Sequence, residues 1–215
     1  MEILFRHLDF AGHGIFISMS TGEIEVPDEP LPQTPLTKRQ LRRRTVLLCV
    51  SFARNLAFFR AGKEQGSHLL EPAEKTASFW RQASSNFFDM CILEWCKMFS
   101  DRNAVHHWKK TVSDPEKFEA DLLAHLNLTT AEFLKHLAEI RFYRNKFVAH
   151  LDEHNEMNVP MLNLLQQSVW FYHAHIVTNE VEPGDLAGIP TDTPQKLNLG
   201  YRQCIHEAVQ VFQRF

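Results

Sequence analysis

Arg144 and His150 are the side chains whose types and spacing most invite a chemical reading. They lie with Asn145 in the segment Arg144-Asn145-Lys146-Phe147-Val148-Ala149-His150. On a helix advancing about 100° per residue, Phe133, Leu137, Ile140, Phe147, Val148 and Leu151 share one stripe, and Arg144 falls in its middle. The same projection of residues 74–99 gathers Phe79, Trp80, Ala83, Phe87, Met90, Cys91 and Met98 on a stripe centred on Glu94. An unpaired buried charge is costly, so Glu94 and Arg144 are expected to meet where their helices pack. Such a pair is either purely structural, or Glu94 orients Arg144 so that part of its guanidinium fork faces a cleft and binds phosphate oxygens. His150 lies about 120° round the helix and about 9 Å along it from Arg144, on a second face with Tyr143, Lys146 and His154. Alone, an exposed helical histidine is usually silent; beside that arginine it acquires a more specific meaning.

The elements that must position these residues read as helices. Thr37-Lys38-Arg39-Gln40 has the form of a capping box, and an apolar stretch follows to Phe59. A long, aromatic-rich helix is expected from about Glu74 to Phe99. Asp114-Pro115 places an N-cap before a first-turn proline and announces a helix to about Leu126. A second capping box, Thr129 with Glu132, opens the helix of about Thr130 to Glu153 that carries Arg144 and His150. Apolar patterns give two more helices, Met161 to Val177 and Leu197 to Phe215, separated by a loop from Glu182 to Pro194. Ahead of all these, Ile3 to Phe10, Gly14 to Met19 and Glu23 to Val26 alternate partly with period two, which suggests a small β-hairpin or meander. Pro27, Pro30, Pro32 and Pro35 then form a stiff connector. The expected organisation is residues 1–36 as an appendage with its connector, and 37–215 as an all-α domain.

Composition narrows the class. The chain has 215 residues, 44% of them hydrophobic and 17 of them phenylalanine, enough for one sizeable core. A formal net charge of -3 argues against a globally basic nucleic-acid coat but leaves room for a local basic patch. Cys49, Cys91, Cys96 and Cys204 show no C-x-x-C spacing and read as reduced core thiols. The longest apolar run, Val46 to Phe52, is far below the roughly 20 residues a membrane span needs, and no signal pattern opens the chain. A cytoplasmic protein without membrane association is therefore expected.

Arg144-Asn145-x-x-x-x-His150 resembles the R-x4-6-H signature of HEPN domains, with the asparagine after arginine that is frequent in their ribonuclease members. The motif's place on a late helix resembles that family too, and the likeness covers roughly Thr37 to Val177. It implies a HEPN-like antiparallel helical bundle acting as a metal-independent RNA endonuclease, as in toxins and phage-defence components. It also implies a homodimer in which both subunits' motifs line one cleft, with no cofactor. On this resemblance His150 moves a proton at the ribose 2′-OH or the leaving 5′-oxygen, and Arg144 stabilises charge on the pentavalent phosphorus. Asn145 holds the phosphate or the imidazole, and the products are a 2′,3′-cyclic phosphate and a 5′-hydroxyl. The competing reading is a catalytically inactive HEPN-like dimer that binds nucleotide, RNA or protein, such as a partner in a toxin–antitoxin pair.

Further candidates for RNA contact are Tyr143 and Lys146, near His150, and Arg42 and Arg43. The latter two crowd the first turns of the first helix with Lys38, Arg39 and Arg44, where the macrodipole disfavours cations and an anion would relieve the conflict. The alternative is a solvated basic turn. His106, His107, His125, His136, His173 and His175 lack metal-ligand spacing, so no metal site is expected. Trp95, Trp108 and Trp170 sit in apolar helical contexts and are expected in the core or an interface.

Overall fold

The computed structural model describes residues 35–66, 74–148 and 159–212, which beyond Pro35 belong to one compact unit, Leu36–Phe215. Among the described residues the elements are α1 (Lys38–Gly66), α2 (Glu74–Phe99), α3 (Trp108–Thr111), α4 (Pro115–Leu126), α5 (Thr130–Tyr143), α6 (Leu162–His175) and α7 (Pro194–Phe212). Two π-helical turns, Arg144–Val148 and Ile176–Glu180, continue α5 and α6. No strand occurs among the described residues, so this unit is an all-α helical bundle. The expected N-terminal hairpin and most of its connector lie outside the described residues.

The capping signals are realised in detail. Thr37 N–H donates to Gln40 Oε1 at 3.0 Å while Gln40 N–H donates to Thr37 Oγ1 at 3.2 Å, and α1 follows. Asp114 accepts from Lys117 N–H with Pro115 at the first helical position. Thr129 and Glu132 form the reciprocal capping box that starts α5. Each device satisfies backbone donors that the first helical turn leaves unpaired, which is why these helix starts coincide with their sequence signals. The ends are harder to read: α1 runs on past Phe59, through Gly62, to Gly66.

α1 packs chiefly against α2 and α7, and α6 closes the core from α1, α4 and α7. Val46, Cys49, Phe52 and Leu56, with Ala53 and Ala57 beside them, give α1 a buried face at spacings of three and four. On α2 the buried set is Phe88, Cys91, Ile92, Trp95, Cys96, Met98 and Phe99. Trp95 Nε1–H donates to Ser168 Oγ at 2.7 Å, so the buried indole keeps its polar partner. Trp95 stacks on Phe99, Phe99 meets Tyr172 edge-on, and Tyr172 meets Phe118, which binds α2, α4 and α6 into one aromatic centre. Trp108 lies in this core, and Trp170 packs edge-on against Phe52 and Tyr201.

All four cysteines are free, three of them buried, and burial pushes the thiol of Cys96 up to about 11. In one respect α1 departs from the sequence expectation: Lys38–Lys63 is long and apolar enough, by length and composition, to cross a membrane. One face of it, with Val46, Cys49, Phe52, Ala53, Leu56 and Ala57, is buried in the bundle, while Leu47 is exposed.

Candidate functional site

The site forms where the end of α5 crosses the end of α2. α5 does not stop at Tyr143. Arg144 keeps helical angles (φ -54, ψ -48) and begins the π-helical turn Arg144–Val148, in which the backbone bonds lengthen from i→i+4 to i→i+5. Such a turn holds about one residue more than an α-turn.

Arg144 Nη1 donates to both carboxylate oxygens of Asp101, and its Nε donates to Asn145 Oδ1 at 3.0 Å. The pair is half-open, with 20% of the Arg144 side chain and 29% of the Asp101 side chain exposed. Asp101 is itself placed by the end of α2, since its N–H and that of Ser100 both return to the Cys96 carbonyl. One turn earlier on α5, Arg141 Nη2 donates to the Ser100 carbonyl at 2.7 Å and its Nε to the Ser100 hydroxyl at 3.3 Å. Arg141 and Arg144 thus grip two successive residues at the C-terminus of α2, where a cation is favoured by the macrodipole.

The expected Glu94–Arg144 pair is not formed. Glu94 faces α1, accepting from the Ser51 hydroxyl and from Asn55 Nδ2 at 3.1 Å, and is only 3% exposed. Burial raises its pKa against the opposing pull of those two hydrogen bonds and of the Lys97 and Arg54 charges. The reason for the exchange is that α1 covers the Glu94 face of α2, leaving Arg144 to find its carboxylate just past the helix end, at Asp101.

Tyr143 is likewise not a surface contact. It is buried, its hydroxyl donates to Asp89 Oδ1 at 3.3 Å, and its ring meets Phe88 edge-on. Burial, with the Asp89 charge, pushes the phenol up to about 12. The buried stripe of α5 is Phe133, Ile140 and Tyr143, rotated from the projection so that Tyr143 faces inward and Arg144 sits at its edge. Asn145 is exposed and Lys146 half-buried on the π-helical turn. His150 lies outside the described residues.

Arg42 and Arg43 are committed inside the fold and do not form an open patch. Arg42 pairs with Glu180 at 3.3 Å and with Asp185 at 3.9 Å, and Arg43 Nη1 donates to the carbonyls of Asp185 and Ala187. Arg39 adds a bond to the Gly184 carbonyl. The anions that relieve the crowded start of α1 are therefore the protein's own. Glu180 also accepts from Ser113 N–H, Ser113 Oγ–H and His175. Burial pushes its pKa up, but the Ser113 and His175 hydrogen bonds outweigh burial and hold it below the usual range.

The histidines that lie in the described residues serve the scaffold or the surface. His107 caps α3 through Nδ1 and bonds the Phe99 carbonyl through Nε2. His173 bonds the Thr191 carbonyl, and burial pushes it down to about 4. Among the described residues no group of three His, Cys, Asp or Glu is placed to hold a metal ion. Asp101, Ser100 and Arg141 were not singled out from sequence. The available signal was the spacing of three between Arg141 and Arg144, which puts both on one side of a helix.

The fold and this site together define an all-α helical bundle with a half-open arginine–carboxylate pair at the junction of two helix ends. No protein-family model matches the chain, and comparisons with curated proteins and with solved structures find no match.

Proposed function

We propose that this protein is a metal-independent RNA endonuclease of the HEPN type, a cytoplasmic toxin or phage-defence component working as a homodimer. The observation that carries the reading is Arg144 itself. It heads a π-helical turn, is fixed by Asp101 and Asn145, stays partly exposed, and precedes His150 by six residues in the sequence, the R-x4-6-H spacing. π-Helical turns inside helices recur at functional sites because they place side chains that regular geometry cannot.

In the proposed reaction the ribose 2′-oxygen attacks phosphorus while an imidazole of His150 removes its proton. The P–O5′ bond breaks, and a second imidazole, from the other protomer, returns a proton to the leaving oxygen. The products are a 2′,3′-cyclic phosphate and a 5′-hydroxyl. Arg144 binds the non-bridging oxygens as their charge grows, and its carboxylate and amide partners hold the guanidinium so that little reorganisation is needed. Asn145 and Lys146, on the same turn, are the remaining candidates for phosphate contact.

The test uses labelled tRNA and mRNA incubated in EDTA with wild type, Arg144→Ala and His150→Ala. Chelator-resistant cleavage that disappears in both variants is expected. Equal residual cutting by all three proteins would refute the nuclease. One observation favours the second reading, a binding module for nucleotide, RNA or a protein partner such as an antitoxin: Asp101 already neutralises Arg144, as in a purely structural pair. RNA binding without cleavage would select it.

A further inference from the structure

Arg141 is the cation at the end of α5 that the proposed reaction leaves unused. Its two hydrogen bonds both go to neutral oxygens of Ser100, and among the described residues no carboxylate pairs with it. It is exposed, and one turn on, Arg144 takes up Asp101. Asp101 is paired with Arg144 while Arg141 bonds to the adjacent Ser100, and Arg102, also exposed, follows Asp101 directly. The two arginines are brought to one end of α2 by their bonds to the successive residues Ser100 and Asp101.

We infer that Arg141 is a second phosphate-binding residue, taking the RNA backbone phosphate adjacent to the one held by Arg144. The inference rests on the reading of Arg144 as a phosphate ligand and extends it to the strand flanking the cleavage point. The chemistry fits a polyanion: among the described residues Asp101 offsets one of the charges of Arg141 and Arg144 and leaves the other, and a strand that places one phosphodiester on Arg144 brings its neighbour to the same helix end. Pinning by Ser100 removes rotamer freedom in advance, so less is lost when phosphate binds. A guanidinium fork also suits phosphate oxygens bidentately.

The alternative role, capping the C-terminus of α2, is separated by Arg141→Gln, whose amide can still donate to the Ser100 carbonyl but carries no charge. The probe is a 2′-O-methyl RNA oligonucleotide, which lacks the attacking hydroxyl, followed by fluorescence anisotropy over a salt series. Arg141→Gln is expected to melt close to wild type, bind several-fold more weakly, and lose about one unit of the slope of log K against log salt. Arg141→Lys is expected to restore the slope. On cleavable RNA, Arg141→Gln should raise KM and leave kcat nearly unchanged.

Wild-type affinity and slope in Arg141→Gln would overturn the inference, as would a lowered melting temperature that Arg141→Lys repairs without any change in slope. Because the binding probe cannot be cut, an Arg141-dependent slope in a wild type that cleaves nothing would refute the nuclease and leave the inference standing. Arg144-dependent cleavage with an unaltered Arg141→Gln slope would do the reverse.

Discussion

Arg42 and Arg43 on α1 and Arg141 and Arg144 on α5 are all held in place, but by different chemistry. The first two meet Glu180, Asp185 and the carbonyls of residues 185 and 187, and the Arg42 side chain is only 12% exposed. The second two meet one carboxylate, one amide and the neutral oxygens of Ser100, and both remain open to solvent in part. An arginine surrounded by enough internal acceptors is a clamp, here fastening the chain of residues 180–187 to α1. An arginine with fewer keeps charge and donors, which on the proposed function an external anion would take up. The residue type is the same, so the supply of partners decides the role.

Several substitutions would break or sharpen that contrast. The largest effect is expected from Arg42→Ala, which leaves the buried Glu180 short of its cation. Stability should fall by about 3 kcal/mol, the scale for removing one partner of a buried pair, while affinity for RNA stays unchanged. Urea denaturation and anisotropy measure the two quantities, and a large loss of RNA binding would dissolve the distinction. Next comes Arg144→Ala, for which cleavage should drop by about 100-fold or more, the scale for losing one donor to a developing oxyanion, with little change in melting temperature.

Asp101→Asn is expected to act as a positioning change. With the carboxylate gone, Arg144 loses its fixed orientation, so kcat falls by about tenfold, a smaller effect than loss of the donor itself. KM should move little, and Asp101→Glu should recover part of the rate. Equal loss of binding and turnover would place Asp101 against the substrate instead.

The pH dependence of stability gives the smallest effects, and the two buried carboxylates should differ in sign. Glu180 has a lowered pKa in the folded protein, so the stability it contributes is present above its unfolded value and is lost as pH falls through the folded one. Glu94 has a raised pKa, because burial disfavours its charge. Folding is therefore weakened as pH rises from its unfolded value through its folded one. Glu94→Gln, whose amide oxygen can still accept from Asn55 Nδ2 and whose NH2 can donate to the Ser51 hydroxyl oxygen, should abolish that decline in denaturation midpoints between acidic and neutral pH. An unchanged pH profile in the variant would mean that Glu94 is charged at little cost.

The sequence by itself determined the all-α class of the described unit, the starts of α1, α4 and α5, the cysteines as free thiols and the burial of Trp95 and Trp108. Those features are local: a capping box or a stripe at helical spacing is set by residues within a turn or two of one another. Only the tertiary structure decided which charges meet. Glu94 found Ser51 and Asn55, Arg144 found Asp101, Tyr143 turned inward to Asp89, and Arg42 and Arg43 found the segment 180–187. Each partner lies dozens of residues away in the chain, and each choice depends on how helices are rotated and where they end. A π-helical turn alters that rotation by one residue without leaving a mark that periodicity can read.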